Sequence, residues 1–223
     1  MKTQMISAAV VLAAVAGAAS AQTVVDWNLS GALGTEASFA ANSAAANITG
    51  GALARGAGLT GNTGTNSINA AGWNDLGAND YFSMSFSVNP GFQLDLSSLY
   101  IGSRSSGSGP GNLGLFYNGD GFTTNLFSFN QAPGGNFVNS VVDLSSLPAL
   151  TGNLEFRVRA LNGVAANGGA IASSGTFRLT AFFVNGLFDR NLQFTGTVSP
   201  VPTPGALALL GVGGLMAARR RRA

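Results

Sequence analysis

The chain has 223 residues, of which 46% are hydrophobic, only 9% are charged and 32 are glycine, and it contains neither Cys nor His. Those two absences exclude Cys and Ser/His nucleophile systems, thiolate or imidazole metal sites and disulfide staples, and leave packing to hold the fold. The formal charge of +2 sits at the ends: Lys2 and Arg219, Arg220, Arg221 and Arg222 are five of the eleven basic residues, so the body carries six Arg against nine acids and offers nucleic acid no basic face.

Met1 to Ala21 opens with Lys2, runs apolar from Ala8 to Ala19 and closes on Ala19-Ser20-Ala21 before Gln22. That order predicts a secretory signal helix over 1–21, removed by signal peptidase ahead of Gln22. The rest of the chain solvates itself with Asn, Ser, Thr and Gly rather than ion pairs, a composition that suits an extracellular surface.

A first short strand is expected over Val24 to Leu29. Gly31 to Gly72 then holds 12 Ala and 9 Gly in 42 residues, with isolated apolar residues such as Phe39, Ile48, Leu53 and Ile68, and reads as loops joining short strands. Tyr81 to Val88 alternates so that Phe82, Met84, Phe86 and Val88 share one face and serines the other, the pattern of a half-buried antiparallel strand. Asn89-Pro90-Gly91 turns the chain, and extended segments resume at Leu94 to Leu96 and Leu99 to Ile101. Further runs stand at Leu113 to Tyr117, Leu126 to Phe129, Val138 to Val142, Leu154 to Arg159, Thr176 to Val184 and Phe194 to Val198, with no sustained helical period between them. The expected body, 22–199, is an all-β antiparallel sandwich of jelly-roll type.

Between those strands the chemistry is sparse. Asn118-Gly119-Asp120-Gly121 has the oxygens of a calcium loop but no acid at EF-hand spacing, and reads as a tight turn. Gly107-Ser108-Gly109-Pro110-Gly111 lacks the following helix and Lys of a phosphate loop and reads as a flexible surface loop. Glu36 and Glu155 are the only glutamates, and no nucleophile arrangement accompanies them, so no catalytic residue, metal or cofactor is assigned.

At the C-terminus Val201-Pro202-Thr203-Pro204 precedes an apolar stretch from Gly205 and then four arginines. The 14 residues from Gly205 to Ala218 span roughly 21 Å as a helix, against about 30 Å of hydrocarbon. Such a helix crosses thinly and transiently, with its Arg cluster kept inside and the body outside.

Pro-x-Pro, a short Ala/Leu/Gly-rich helix and a terminal Arg cluster together resemble the PEP-CTERM sorting tail, here spanning 200–223. The resemblance implies an exosortase-like processing enzyme, transient residence in the inner membrane and association with exopolysaccharide. The family has Glu where this chain has Thr203, which points to a related but distinct enzyme. Arg55-Gly56-Ala57-Gly58-Leu59, Gly72-Trp73, Asn79-Asp80-Tyr81-Phe82, Arg104-Ser105-Ser106-Gly107 and Gly175-Thr176-Phe177 also resemble the central jelly-roll region of such proteins. That region often carries adjacent acids late in its last strand; Thr180 and Ala181 stand there, so no calcium site carries over.

Two functions follow as expectations. One is a non-catalytic structural or adhesive protein of the cell surface or extracellular matrix. The other is a carbohydrate-binding module, its glycan stacked on Trp27, Trp73, Tyr100 or Tyr117. A glycosidase-like enzyme is a distant third.

Overall fold

The computed structural model describes residues 21–133 and 135–202. Ala19 and the rest of the expected signal helix up to residue 20 lie outside the described residues. So does the expected tail from Thr203, with Pro204 and Arg219 to Arg222.

Sixteen strands make up the described chain: β1 (Gln22–Trp27), β2 (Ser38–Ala40), β3 (Ser43–Ala44), β4 (Ile48–Arg55), β5 (Thr60–Gly61), β6 (Ser67–Ala71), β7 (Phe82–Val88), β8 (Phe92–Ser105), β9 (Asn112–Tyr117), β10 (Phe127–Asn130), β11 (Val138–Asp143), β12 (Gly152–Ala160), β13 (Phe177–Thr180), β14 (Phe182–Val184), β15 (Leu187–Arg190) and β16 (Leu192–Pro200). An eight-stranded sheet has the order β3-β1-β16-β8-β13-β6-β5, with β11 also on β8, and a six-stranded sheet has the order β10-β9-β12-β7-β4-β2. All pairings between named strands are antiparallel, and the chain crosses repeatedly between the two sheets, as in a jelly roll.

The sheets face each other across one apolar core. On β7 the alternation works as expected: Phe82, Met84, Phe86 and Val88 are buried, and Ser83, Ser85 and Ser87 point outward. Each such buried side chain contributes about 1.5–3 kcal/mol. Phe156 of the six-stranded sheet meets Phe194 of the eight-stranded sheet at 4.7 Å between ring centroids, and Phe82 meets Phe177 at 6.1 Å. These ring contacts tie the layers together.

Three expectations are corrected. The segments Leu94–Leu96 and Leu99–Ile101 belong to one 14-residue strand, β8, with a register shift opposite Thr195 and Gly196 that carries it past the interruption in the pattern. The run Thr176–Val184 is two strands, because the chain leaves the sheet at Ala181. Gly107 to Gly111 is not a free loop. It is laddered to residues 163–176 through Ala166 N–H to Gly109 O (2.9 Å), Asn167 N–H to Gly107 O (2.9 Å) and Ala172 N–H to Ser108 O (3.0 Å). A Cβ on Gly109 would lie 2.2 Å from Thr176 O, so only glycine admits the approach.

β8 organises the eight-stranded sheet. β16 pairs with it from Phe92 to Tyr100 and β13 from Gly102 to Ser105, whereas β11 pairs from Ser98 to Ser103 and overlaps both. β13 and β16 therefore lie end to end along one side of β8, with the residues between them displaced out of the sheet, and β11 lies along the other. Gln22 pairs with Gly196, and Pro200 with Phe92. Both described ends of the chain therefore leave the sandwich at the Phe92 end of β8.

Candidate functional site

The displaced residues form the β14–β15 hairpin. Asn185 (φ +51°) and Gly186 (φ +77°) sit at its tip in the left-handed region that a two-residue hairpin turn requires. Its base rests on the outer face of the sheet: the Phe182 ring packs edge-on against Tyr100 at 5.5 Å, and the Arg190 guanidinium lies 4.3 Å from the Tyr100 ring centre. Asn139, outward on β11, holds Phe183 by both backbone groups, its Nδ2 donating to the carbonyl and its Oδ1 accepting the N–H.

Between hairpin and sheet lies a groove made of two adjoining hollows of about 450 and about 440 Å³ that share Asn66 and Phe183. The first is lined by Thr65, Phe137, Asn139 and Thr180, the second by Asn28, Ser30, Phe188 and Asn191. Gly102 packs directly against Thr180, which lines the first: a Cβ on Gly102 would meet Thr180 Oγ1 at 2.2 Å and Ala181 O at 2.3 Å. The amides are fixed by the fold. Asn66 Oδ1 accepts Gly31 N–H (2.8 Å), Asn28 Oδ1 accepts Ser30 N–H (2.9 Å), and Asn191 Nδ2 donates to Asp26. Buried Asp26 also accepts from Asn42 Nδ2 (2.9 Å) and Ser43 Oγ, so its carboxylate serves as a structural hub. Each of these amides spends one atom on the fold, and its second atom is the one a hydroxylated ligand would meet. Phe137 (52% exposed) and Phe188 (58% exposed) stand partly exposed beside them.

The residues expected to stack a glycan lie elsewhere. Trp27 and Trp73 are fully buried. Trp27 packs against Phe194 and donates its Nε1–H to Gly51 O across the core (3.3 Å); Trp73 wedges between Phe82 and Phe177 and donates to Ala70 O (2.9 Å). Tyr117 is half-buried and stacks on Phe156 at 5.0 Å, with burial raising the pKa of its hydroxyl. Tyr100 is half-buried beneath the hairpin. Trp27, Trp73 and Tyr117 pack in or against the core between the layers, and Tyr100 packs on the outer face under the hairpin. Of the expected processing residues, Ala21 and Gln22 are exposed at the start of β1. Val201 donates to Gly91 O (2.9 Å) and is followed by exposed Pro202.

Other polar sites are closed by their own partners. On the outer face of the six-stranded sheet, Arg157 is sandwiched between Tyr81 (4.1 Å) and Phe122 (4.0 Å) and paired with Glu155 (2.7 Å). Beside it, Asn118 bonds both Asn153 O and Glu155 N–H. Asp120 accepts the N–H groups of Thr123 (3.1 Å) and Thr124 (3.0 Å), chiefly through Thr124 held below the ordinary aspartate range, so Asn118 to Gly121 is a turn. Asp80 is buried and shares a hydrogen bond with Asp75; burial first, then Asp75, raises its pKa to about 6. Two carboxyls in direct contact are closer than the 5 Å or so that glycoside hydrolysis needs.

The groove residues Asn28, Asn66, Asn139 and Asn191 are far apart in sequence and carry no motif. The one local signal was Asn185-Gly186 between Phe182-Phe183-Val184 and Leu187-Phe188, a hairpin signature inside an apparently continuous strand.

No protein-family model and no curated protein sequence matches the chain. Among solved structures it is similar to a point mutant of a carbohydrate-binding module of family 29, at 12% identity and a TM-score of 0.38, over 79% of this chain and 92% of that one. It is also similar to a family 29 carbohydrate-binding module from Piromyces equi, at 12% identity and a TM-score of 0.35, over 80% and 92%. Likeness of this degree carries no inference about a ligand, and the functional reading rests on the groove.

Proposed function

We propose that the chain is an exported, non-catalytic carbohydrate-binding sandwich of the cell surface or extracellular matrix, and that it holds polysaccharide in the groove under the β14–β15 hairpin. The observation that carries this reading is the lining: fixed Asn amides and hydroxyls interleaved with the exposed rings of Phe137 and Phe188. Amides exchange hydrogen bonds with sugar hydroxyls, and apolar rings cover the C–H faces of pyranoses. A glycan array with the full chain tests it. Saturable binding that Phe188→Ala weakens supports the groove; binding unaffected by both Phe188→Ala and Asn66→Ala sinks it.

Delivery to the surface is the second part of the proposal. The charged, apolar, small-residue order of 1–21 and the PEP-CTERM-like order of 200–223 support export, transient inner-membrane residence and processing by signal peptidase and an exosortase-like enzyme. Intact-mass analysis of protein recovered from the surface should show Gln22 at the start and an end near Pro202. Changing Pro202 and Pro204 to Ala should leave precursor in the membrane, and normal maturation of that variant would refute the assignment of the tail.

A further inference from the structure

Arg104 on β8 and Arg178 on β13 stand directly opposite each other, and both point outward, since their strand neighbours Ser105 and Phe177 are buried on the inner face. Like charges in such a cross-strand pair, with Cβ atoms about 5 Å apart, destabilise a sheet. Both guanidiniums also lie over one ring, that of Phe137, at 5.1 and 5.6 Å from its centre. Among the described residues neither is in an ion pair, although the body has nine acids for six Arg and both Arg157 and Arg190 have a carboxylate partner. Partial burial, and after it the charge of Arg104, lowers the pKa of Arg178. The fold therefore concentrates positive charge at one half-buried spot without neutralising it.

That spot continues the groove. Arg178 and Arg104 are two positions along their strands from Thr180 and Gly102, on the same outward face, and Phe137 is shared between the groove wall and the arginine pair. We propose that Arg104 and Arg178, over Phe137, form an oxyanion subsite at the end of the groove, so that the polysaccharide held there is an acidic one, bearing carboxylate or sulfate groups. This inference rests on the reading of the groove as a glycan site. Two guanidinium forks present parallel N–H donors to an oxyanion, and a bound anion removes the repulsion between them. The neighbouring amides and rings would hold the sugar that carries it.

The test compares binding of the full chain to alginate, whose anions are carboxylates, to dextran sulfate, whose anions are sulfate esters, and to alginate with its carboxyls reduced. Preference for either acidic polymer over the reduced one, lost roughly tenfold or more in the double variant Arg104→Gln/Arg178→Gln, is the expected result. The acidic polymer that binds more tightly names the source of the anion. Equal binding of acidic and reduced polymers by the wild type overturns the subsite and leaves the groove reading standing. Acidic binding that survives in the double variant but falls in Phe188→Ala also overturns it, and binding that neither variant affects overturns the groove reading as well. Thermal unfolding of wild type and the single variant Arg178→Gln keeps the test open should the double variant fail to fold. Glucuronate or sulfate should raise the Tm of the wild type more than glucose or chloride does, and Arg178→Gln should abolish the difference. No such rise in the wild type overturns the proposal.

Discussion

Asn139 and Phe183 are joined by both ends of one amide, with Nδ2 donating to the Phe183 carbonyl and Oδ1 accepting the Phe183 N–H at 3.3 Å. This pairing imitates a rung of β-sheet and is the polar link by which edge strand β11 holds the hairpin over the groove. Asn139→Ala should free the hairpin while leaving the sandwich intact. The expected cost is about 1 kcal/mol, since the residue is exposed and water replaces the lost partner. Amide exchange at Phe183 should accelerate far more than exchange in β7 or β12, and equal acceleration everywhere would show that the amide supports the whole fold instead.

Trp73 and Phe188 separate packing from binding. Trp73 is fully buried between Phe82 and Phe177, and Trp73→Ala should cost about 3–5 kcal/mol in chemical denaturation through the cavity it leaves. Phe188 is 58% exposed, so Phe188→Ala should change stability by about 0.5 kcal/mol or less. Its effect should appear in polysaccharide binding. A large stability loss at Phe188 would mean that the ring is part of the core.

Stability should fall as pH rises from about 4 to about 6, and Asp80 is the cause. Its folded pKa of about 6 lies above the ordinary aspartate value of 3.8, so its contribution is complete below that value and lost as pH rises through about 6. The loss is on the order of 1–3 kcal/mol. Asp75 is held below the ordinary range, chiefly by its hydrogen bond to Asp80, so its own contribution has the opposite sign and is lost only at more acidic pH. Tm measured across this window should fall in the wild type and stay nearly flat in Asp80→Asn. A parallel slope in both proteins would rule out Asp80 as the origin.

Gly102→Ala tests the packing that holds Thr180 in the groove wall. Its Cβ would fall 2.2 Å from Thr180 Oγ1 and 2.3 Å from the Ala181 carbonyl, so the side chain cannot be added without moving the chain where it leaves the sheet. Destabilisation of about 1–3 kcal/mol is expected, together with weakened glycan binding. Unchanged Tm and binding would show that the chain around Thr180 and Ala181 yields freely.

The two-sheet architecture was legible wherever one strand buries one face throughout its length. β7 and β12 show this best, because the alternation of Phe82 to Val88 and of Leu154 to Arg159 reports the core directly. β4 falls in the segment that reads as loops joining short strands, because Gly50, Gly51, Ala52 and Ala54 carry little hydrophobic signal; its place is fixed by the bulge at Gly51, where any Cβ would collide with Ser85. The break at Ala181 was hidden for another reason. Phe177 to Val184 keeps its β-forming composition, and what changes there is the partner, a long-range event with no local trace. Aromatic content alone pointed to Trp27 and Trp73 as ligand contacts, but it cannot distinguish a ring that faces the opposite sheet from one that faces water. Arg104 and Arg178 are 74 positions apart, and only the β8–β13 register makes them neighbours.

The ends of the described chain and the groove lie at opposite ends of β8, ten residues from Phe92 to Gly102, or roughly 33 Å of strand. A load applied between a polymer in the groove and a tether beyond Pro200 would run lengthwise along β16, which is bonded to β8 on one side and β1 on the other. That pulls the strand in shear, so the whole row of hydrogen bonds resists together instead of opening one at a time. The same topology, with the groove at one end of β8 and Pro200 at the other, would make the sandwich a stiff mechanical link were the chain tethered beyond Pro200.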